Sequence, residues 1–314
     1  MPKPTPPPPP SAPATPVGGK KRPVPPSMPA GGKGKVPPPA KPVRARKTFT
    51  TAKWSGAGEG EKIILYGDSG MGKTTLASML PKPRFIGLDD GGRKIKHPVT
   101  GEDLEYVPGI ETFMDARDAI TQPGLFVNDD TIVIDTATVY QDLAERWVLE
   151  NIKTDGKGPH LVDRLNDFGW GAGFRHVYDT MHLVLGDLDP LVRMGKNIVL
   201  ICQLQQTSIS NPGGEDFLKD VPKLQNQYGK VCPSVWGLFS EWCDHVFKIE
   251  YEGVKAKDDK AASSGNRVVR IHPEIHFVAK SRTIPITVPT IYFSDPTDDS
   301  VWQYLFHGDE QDGN

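Results

Sequence analysis

Short apolar runs, each closed by a polar or glycine position, alternate with segments of helical period through the middle of this chain. The first run, Ile63-Ile64-Leu65-Tyr66, predicts a buried strand over 62–66, and Thr74–Leu80 follows it with helix formers. Arg84–Asp90 reads as a second short strand ending in two acids, and 94–109 as a hairpin or loop insertion. Glu111–Thr121 carries Phe113, Met114, Ala116 and Ile120 at helical spacing. Thr131–Thr136 is a further strand, closing on Asp135. Val139–Ile152 and a stretch from about Phe168 to Met194 predict helices, separated by a polar loop at Lys153–His160. Asn197–Gln203 is an apolar strand ending on an amide. A long segment bearing glycine and proline then runs from Gln205 to about Lys230. Late strands are expected at Val246–Tyr251, Arg267–Ile271 and Ile275–Ala279, the first two joined by a polar loop at Lys255–Asn266.

Strands alternating with helices predict an α/β fold with a mostly parallel sheet flanked by helices. Ligands of such sheets sit at the C-terminal strand ends. Gly67, Asp89 with Asp90, Asp135 and Gln203 all fall at predicted strand ends, so one edge of the sheet is expected to collect them.

The turn after the first strand carries the most specific chemistry. Gly67-Asp68-Ser69-Gly70-Met71-Gly72-Lys73-Thr74-Thr75 contains the P-loop spacing, G-x-x-x-x-G-K-[ST]. Glycines at those positions let a run of backbone N–H groups turn toward phosphates. Lys73 is expected to reach the β- and γ-phosphates, and the Thr74 hydroxyl to take a place on Mg²⁺. The helix that follows would aim its positive end at the anion. Asp135 then supplies the metal-side carboxylate that a strand after a P-loop carries. The cofactors expected are ATP and Mg²⁺, with residues 67–75 holding the nucleotide and Thr74 and Asp135 the metal.

Charge changes the picture at the two ends. The chain has 314 residues and a net charge of −2, but residues 1–53 hold Lys and Arg without a single acid. After Arg282 no Lys or Arg remains, while six acids lie between Asp295 and Asp312. These features divide the chain into a disordered, proline-rich basic arm (1–53), an ATPase domain (54–293) and an acidic tail (294–314). The arm can serve as a solvated linker, a nucleic-acid tether or a ligand for a proline-binding module. Trp302, Tyr304, Leu305 and Phe306 in the tail suit one anchoring turn or a docked partner. Three cysteines without a C-x-x-C pair argue against a disulfide framework or zinc site and fit a reducing cytosol. His97, His160, His176, His182 and His245 show no metal-ligand spacing. Trp170, Trp236 and Trp242 suit core or interface positions better than base-stacking platforms. No apolar leader and no run approaching a membrane span is present, so a cytoplasmic protein without a membrane partner is expected.

Over roughly residues 60–290 the chain resembles the RecA-like ATPases, most closely the phage nucleotide-binding proteins related to Sak-type single-strand annealing ATPases. The resemblance rests on the P-loop, Phe85–Asp89, Thr131–Asp135, Leu200–Gln203 and Ala279-Lys280-Ser281-Arg282. It implies a RecA-like core. It also implies that Asp89 stands where these proteins carry a water-polarising glutamate, here one methylene shorter and with Asp90 beside it. Gln203 would be the polar sensor of the γ-phosphate, passing its signal to a DNA loop at Gln205–Lys230. That loop offers Lys219, Lys223, Tyr228 and Lys230, but also Glu215, Asp216 and Asp220. Lys280 and Arg282, alternating on a late strand, resemble the pair that reaches a neighbouring subunit's γ-phosphate, which implies a homo-oligomer. The activity implied is ATP hydrolysis in phage-type recombination or annealing on single-stranded DNA. Two other readings stay open. One is a nucleotide-dependent switch that binds protein partners with little hydrolysis. The other is a small-molecule phosphotransferase, though no arginine-rich lid follows the P-loop.

Overall fold

The computed structural model describes residues 50–307 apart from 52, 54, 57, 157, 228–231, 258, 259, 264 and 294. Most of the expected arm, Tyr228, Lys230 and the last acids of the expected tail therefore lie outside the described residues. The strands are β1 (Lys62–Gly67), β2 (Pro83–Gly87), β3 (Thr131–Asp135), β4 (Asn197–Ile209), β5 (Phe217–Pro222), β6 (His245–Tyr251), β7 (Val254–Lys257), β8 (Lys260–Ser263), β9 (Arg267–Arg270) and β10 (Thr290–Phe293). The helices are α1 (Lys73–Ser78), α2 (Phe113–Thr121), α3 (Ala137–Asn151), α4 (Ala172–Arg193), α5 (Val235–Trp242) and α6 (Ser300–His307).

One sheet in the order β10-β9-β6-β1-β4-β3-β2 organises these elements. Its centre, from β6 to β2, is parallel, and β9 and β10 add an antiparallel edge. Because helices cover both faces, the central strands are apolar on both sides, which is why they read as continuous runs. Ile64 and Tyr66 of β1 face α2–α5, while Ile63 and Leu65 face α1 and α6. This is the mostly parallel, helix-flanked α/β architecture expected above.

Local chemistry sets the helix starts. The Thr112 hydroxyl and Asp115 carboxylate form a reciprocal capping box on α2, and Thr136 caps α3. The C-terminal helix α6 docks on the core instead of standing apart. Trp302 is only 3% exposed, and its Nε1 donates to the Leu76 carbonyl of α1 at 2.8 Å.

Several details differ from the sequence reading. Ile275–Ala279 forms only isolated bridges, with Phe277 touching Asp220 and Glu274. The segment after Gln203 continues β4 to Ile209 and returns as β5, an antiparallel hairpin where a loop was expected. Gln206 and Ser208 share one face there and Thr207 and Ile209 the other, so neither face is apolar enough to announce a strand. Trp236 and Trp242 pack on the core, but Trp170 is 97% exposed. It sits at φ 51° between Gly169 and Gly171 in the turn before α4, where no second layer faces its ring.

Buried charge ties the hairpin to the sheet. Lys248 of β6 donates to Asp220 at 2.7 Å and to Glu250 at 2.5 Å, and Glu250 also accepts from Arg270 Nε at 2.7 Å. Asp220, counted above against a basic loop, is thus neutralised by a lysine from the sheet. Burial raises the Glu250 acid, but Lys248 and Arg270 outweigh it and hold that carboxyl below its usual range.

Candidate nucleotide site

The P-loop leaves the C-terminal end of β1 between two parallel neighbours. Gly67 pairs with Gln203 on β4 and Ile249 on β6. Its lack of a side chain is a matter of space, since a Cβ there would lie 2.4 Å from the Ile249 carbonyl oxygen. Gly70 and Gly72 serve conformation, at φ 78° and 89°. Between them Met71 drops into the core and pins the loop, while Asp68, Ser69 and Gly70 stay exposed. Thr75, in the first turn of α1, accepts from the Ser78 hydroxyl at 2.7 Å.

Lys73 is buried, and its ammonium folds over the loop, donating to the carbonyls of Gly67 at 2.9 Å and Asp68 at 2.7 Å. Burial pulls its pKa down, against the opposing pull of the Asp135 carboxylate. Thr74 Oγ1 donates to Asp135 Oδ2 at 2.7 Å. One hydroxyl and one carboxylate therefore meet across the gap between β1 and β3, spanned by β4. Among the described residues no group of three His, Cys, Asp or Glu forms a metal cage. A two-donor set of hard oxygens suits Mg²⁺ that takes its remaining ligands from water and phosphates.

Asp135 is 5% exposed, and burial pushes its carboxyl up to about 6. The nearby Asp89 charge adds to that rise, while the Thr74 bond and Lys73 oppose it. A proton on Asp135 competes with a cation. Mg²⁺-dependent nucleotide affinity is therefore expected to be flat above about pH 7 and to fall as pH drops through about 6. Titrating MgATP by calorimetry between pH 7.5 and 5.5 checks this, and equal affinity at both ends contradicts it.

Asp89 lies just past β2, where Leu88 N donates to the Asp135 carbonyl at 2.8 Å. Its carboxylate accepts from Gly91 N at 2.9 Å and caps a 3₁₀ turn at Asp90–Lys94. The Asp90 side chain lies outside the described residues. Asp89 and Asp135 share a cavity of about 690 Å³ with Phe85, Tyr106 and Ile110.

Gln203 shares the rung of Gly67, and its Oε1 accepts from Lys223 Nζ at 3.2 Å at the base of the hairpin. Thr138 of α3 completes the knot. Its hydroxyl donates to the Lys223 carbonyl at 3.0 Å and accepts from Gln203 N at 3.2 Å.

Lys280 and Arg282 are elsewhere. They follow a single bridge from Val246 to Lys280, at the N-terminal end of β6 and the opposite edge of the sheet. The Lys280 ammonium caps α5, donating to the carbonyls of Cys243 at 2.6 Å and Ser240 at 3.0 Å. Arg282 is exposed and pairs with Asp244 at 3.1 Å. The two do not share one strand face as expected, because the chain here makes a bridge and a turn, not a strand.

One basic residue near the loop was not singled out from the sequence. Arg267, at the start of β9, packs beside Gly72; its strand was expected, but only the register of that strand beside β6 reveals the neighbour.

The family model for the AAA domain, AAA_24, matches residues 59–283, which include the P-loop, β3 and the hairpin. The chain belongs to this AAA domain family. Solved structures similar to it include a KaiC-like protein, PH0186, from Pyrococcus horikoshii OT3. That protein is 14% identical, over 76% of this chain and 88% of that one, with a TM-score of 0.38. Another is the flagellar accessory protein FlaH from Methanocaldococcus jannaschii, 10% identical over 76% and 91%, with a TM-score of 0.35. No curated protein matches the chain. As a member of the AAA domain family the chain carries a P-loop nucleotide-binding core. No helix among the described residues is long and apolar enough to cross a membrane.

Proposed function

We propose that this AAA domain protein binds and hydrolyses ATP with Mg²⁺ and acts as an oligomer on single-stranded DNA, in recombination or annealing. The observation that carries the reading is the knot at Gly67. The P-loop, the Thr74–Asp135 pair and Gln203 stand on one edge, and Gln203 is bonded to the base of an exposed hairpin.

In this reading Lys73 leaves the Gly67 and Asp68 carbonyls for the phosphates, and Thr74 and Asp135 hold the metal. Mg²⁺ held there would offset the negative charge of the phosphates. Asp89 orients the attacking water, and Gln203 registers the γ-phosphate and moves Lys223 with the hairpin. Arg282, paired with Asp244 on the edge of the sheet away from its own P-loop, would in this reading reach a neighbouring subunit's γ-phosphate. Lys280 supports it by fixing the turn against α5.

ATPase rates with and without single-stranded DNA, for wild type and Arg282→Ala, test this reading. DNA stimulation in wild type, lost in Arg282→Ala, is expected. A rate indifferent to DNA contradicts the DNA part.

One observation favours the partner-switch reading. The Asp89 carboxylate already caps Gly91, which suits slow hydrolysis. Nucleotide-dependent binding of a protein partner, unaffected by DNA, would support it.

A further inference from the structure

On the α1 face of the sheet, the rung beyond Ile249 carries Tyr251, Arg267 and Phe293 side by side. Arg267 pairs with Tyr251 on one side and Phe293 on the other, and directly opposed residues project to the same face. Phe293 is buried, 1% exposed, in the cluster that also holds Met71 of the P-loop. The Arg267 guanidinium lies over this ring, 5.9 Å from its centre. Its other flank is the P-loop itself. A Cβ built on Gly72 would stand 2.8 Å from Arg267 Nη1 and 3.3 Å from the Phe293 ring. Gly72 therefore lets a permanent cation pack directly against the phosphate loop.

Lys73, Asp89 and Asp135 lie along the β1-to-β2 side, whereas Arg267 approaches across β6 and β9. Among the described residues no carboxylate lies within ion-pair distance of its guanidinium, so the positive charge there is not offset. An arginine keeps that charge at any working pH.

We propose that Arg267 is a positioning residue of the nucleotide site. It braces Gly72 against the Phe293 ring and supplies in cis the positive charge on the flank of the loop facing away from Asp135. The inference rests on the nucleotide reading above and extends it to the polyphosphate part of the ligand, because a cation beside the loop favours anions over neutral nucleosides.

Calorimetric titration of MgATP, MgADP and adenosine into full-length wild type, Arg267→Gln, Arg267→Lys, Arg267→Met and Phe293→Leu tests it, at two KCl concentrations. Arg267→Gln and Arg267→Met are expected to weaken MgATP and MgADP about tenfold, with Arg267→Lys within about threefold of wild type. The salt dependence of Kd should flatten in the Gln and Met variants and persist in Phe293→Leu, which disturbs packing while keeping the charge. Wild-type affinity in Arg267→Gln overturns the inference, as does equal weakening in the Lys and Met variants with unchanged salt dependence. If wild type itself binds no MgATP, the nucleotide reading fails, and that result is distinct from a failure of Arg267 alone.

Discussion

Asp135→Asn is expected to lower ATP turnover by at least about 100-fold while making the unliganded protein more stable. The two effects share one cause. The carboxylate is buried, and burial lifts its acid to about 6, above the ordinary range near 3.9. A folded-state pKa raised above the unfolded one means that ionisation opposes folding. The contribution of this group to stability is full below about pH 4 and is lost as pH rises through about 6. At pH 7.5 the neutral amide removes that opposition and still accepts the Thr74 hydroxyl bond through its Oδ1. Thermal unfolding should shift up by roughly 2–4 °C. In the proposed function the lost charge is the one that would hold Mg²⁺, so turnover is expected to fall in the same variant. A melting temperature that drops together with turnover would mean that Asp135 acts mainly as scaffold.

The second large effect lies far from the phosphates in sequence. Trp302→Ala is expected to cost about 3–5 kcal/mol and lower the melting temperature by about 10 °C. The indole fills the interface of α6 with the α1 face and is almost wholly buried. Its Nε1 bond ends on the Leu76 carbonyl, in the helix that Lys73 opens. Losing it leaves a cavity beneath the P-loop helix and leaves the Leu76 carbonyl with only the bond it accepts from Met79 N. Chemical denaturation followed by fluorescence measures the loss. A change below about 1 kcal/mol would mean that α6 contributes little to the core.

The parallel core was legible because both faces of its strands are covered. Ile63–Tyr66, Ile132–Ile134 and Ile198–Ile201 therefore read as unbroken apolar runs with little ambiguity. The P-loop was legible because its glycines and Lys73 serve a local purpose at fixed spacing. What escaped depends on distant partners. The β4–β5 hairpin is polar on both faces and is held by Lys248, forty-two positions after Gln206 in the chain. Lys280 looks like a free strand charge until the C-terminal carbonyls of α5 are brought to it. Trp302 was expected in one anchoring turn or a docked partner, but its seat on the Leu76 carbonyl is set only by the tertiary fold. Arg267 gains meaning from Gly72, which sequence reading treats only as a phosphate-loop glycine.

Binding of MgATP to the full-length protein, measured by calorimetry for wild type and Lys73→Ala, tests the central claim most directly. Lys73 reaches across the loop from α1, and no other ammonium donates to the Gly67 and Asp68 carbonyls among the described residues. The account predicts one site per chain in wild type and at least about 100-fold weaker binding in Lys73→Ala, with the fold intact by circular dichroism. Equal binding by the two proteins, or none by wild type, would contradict it.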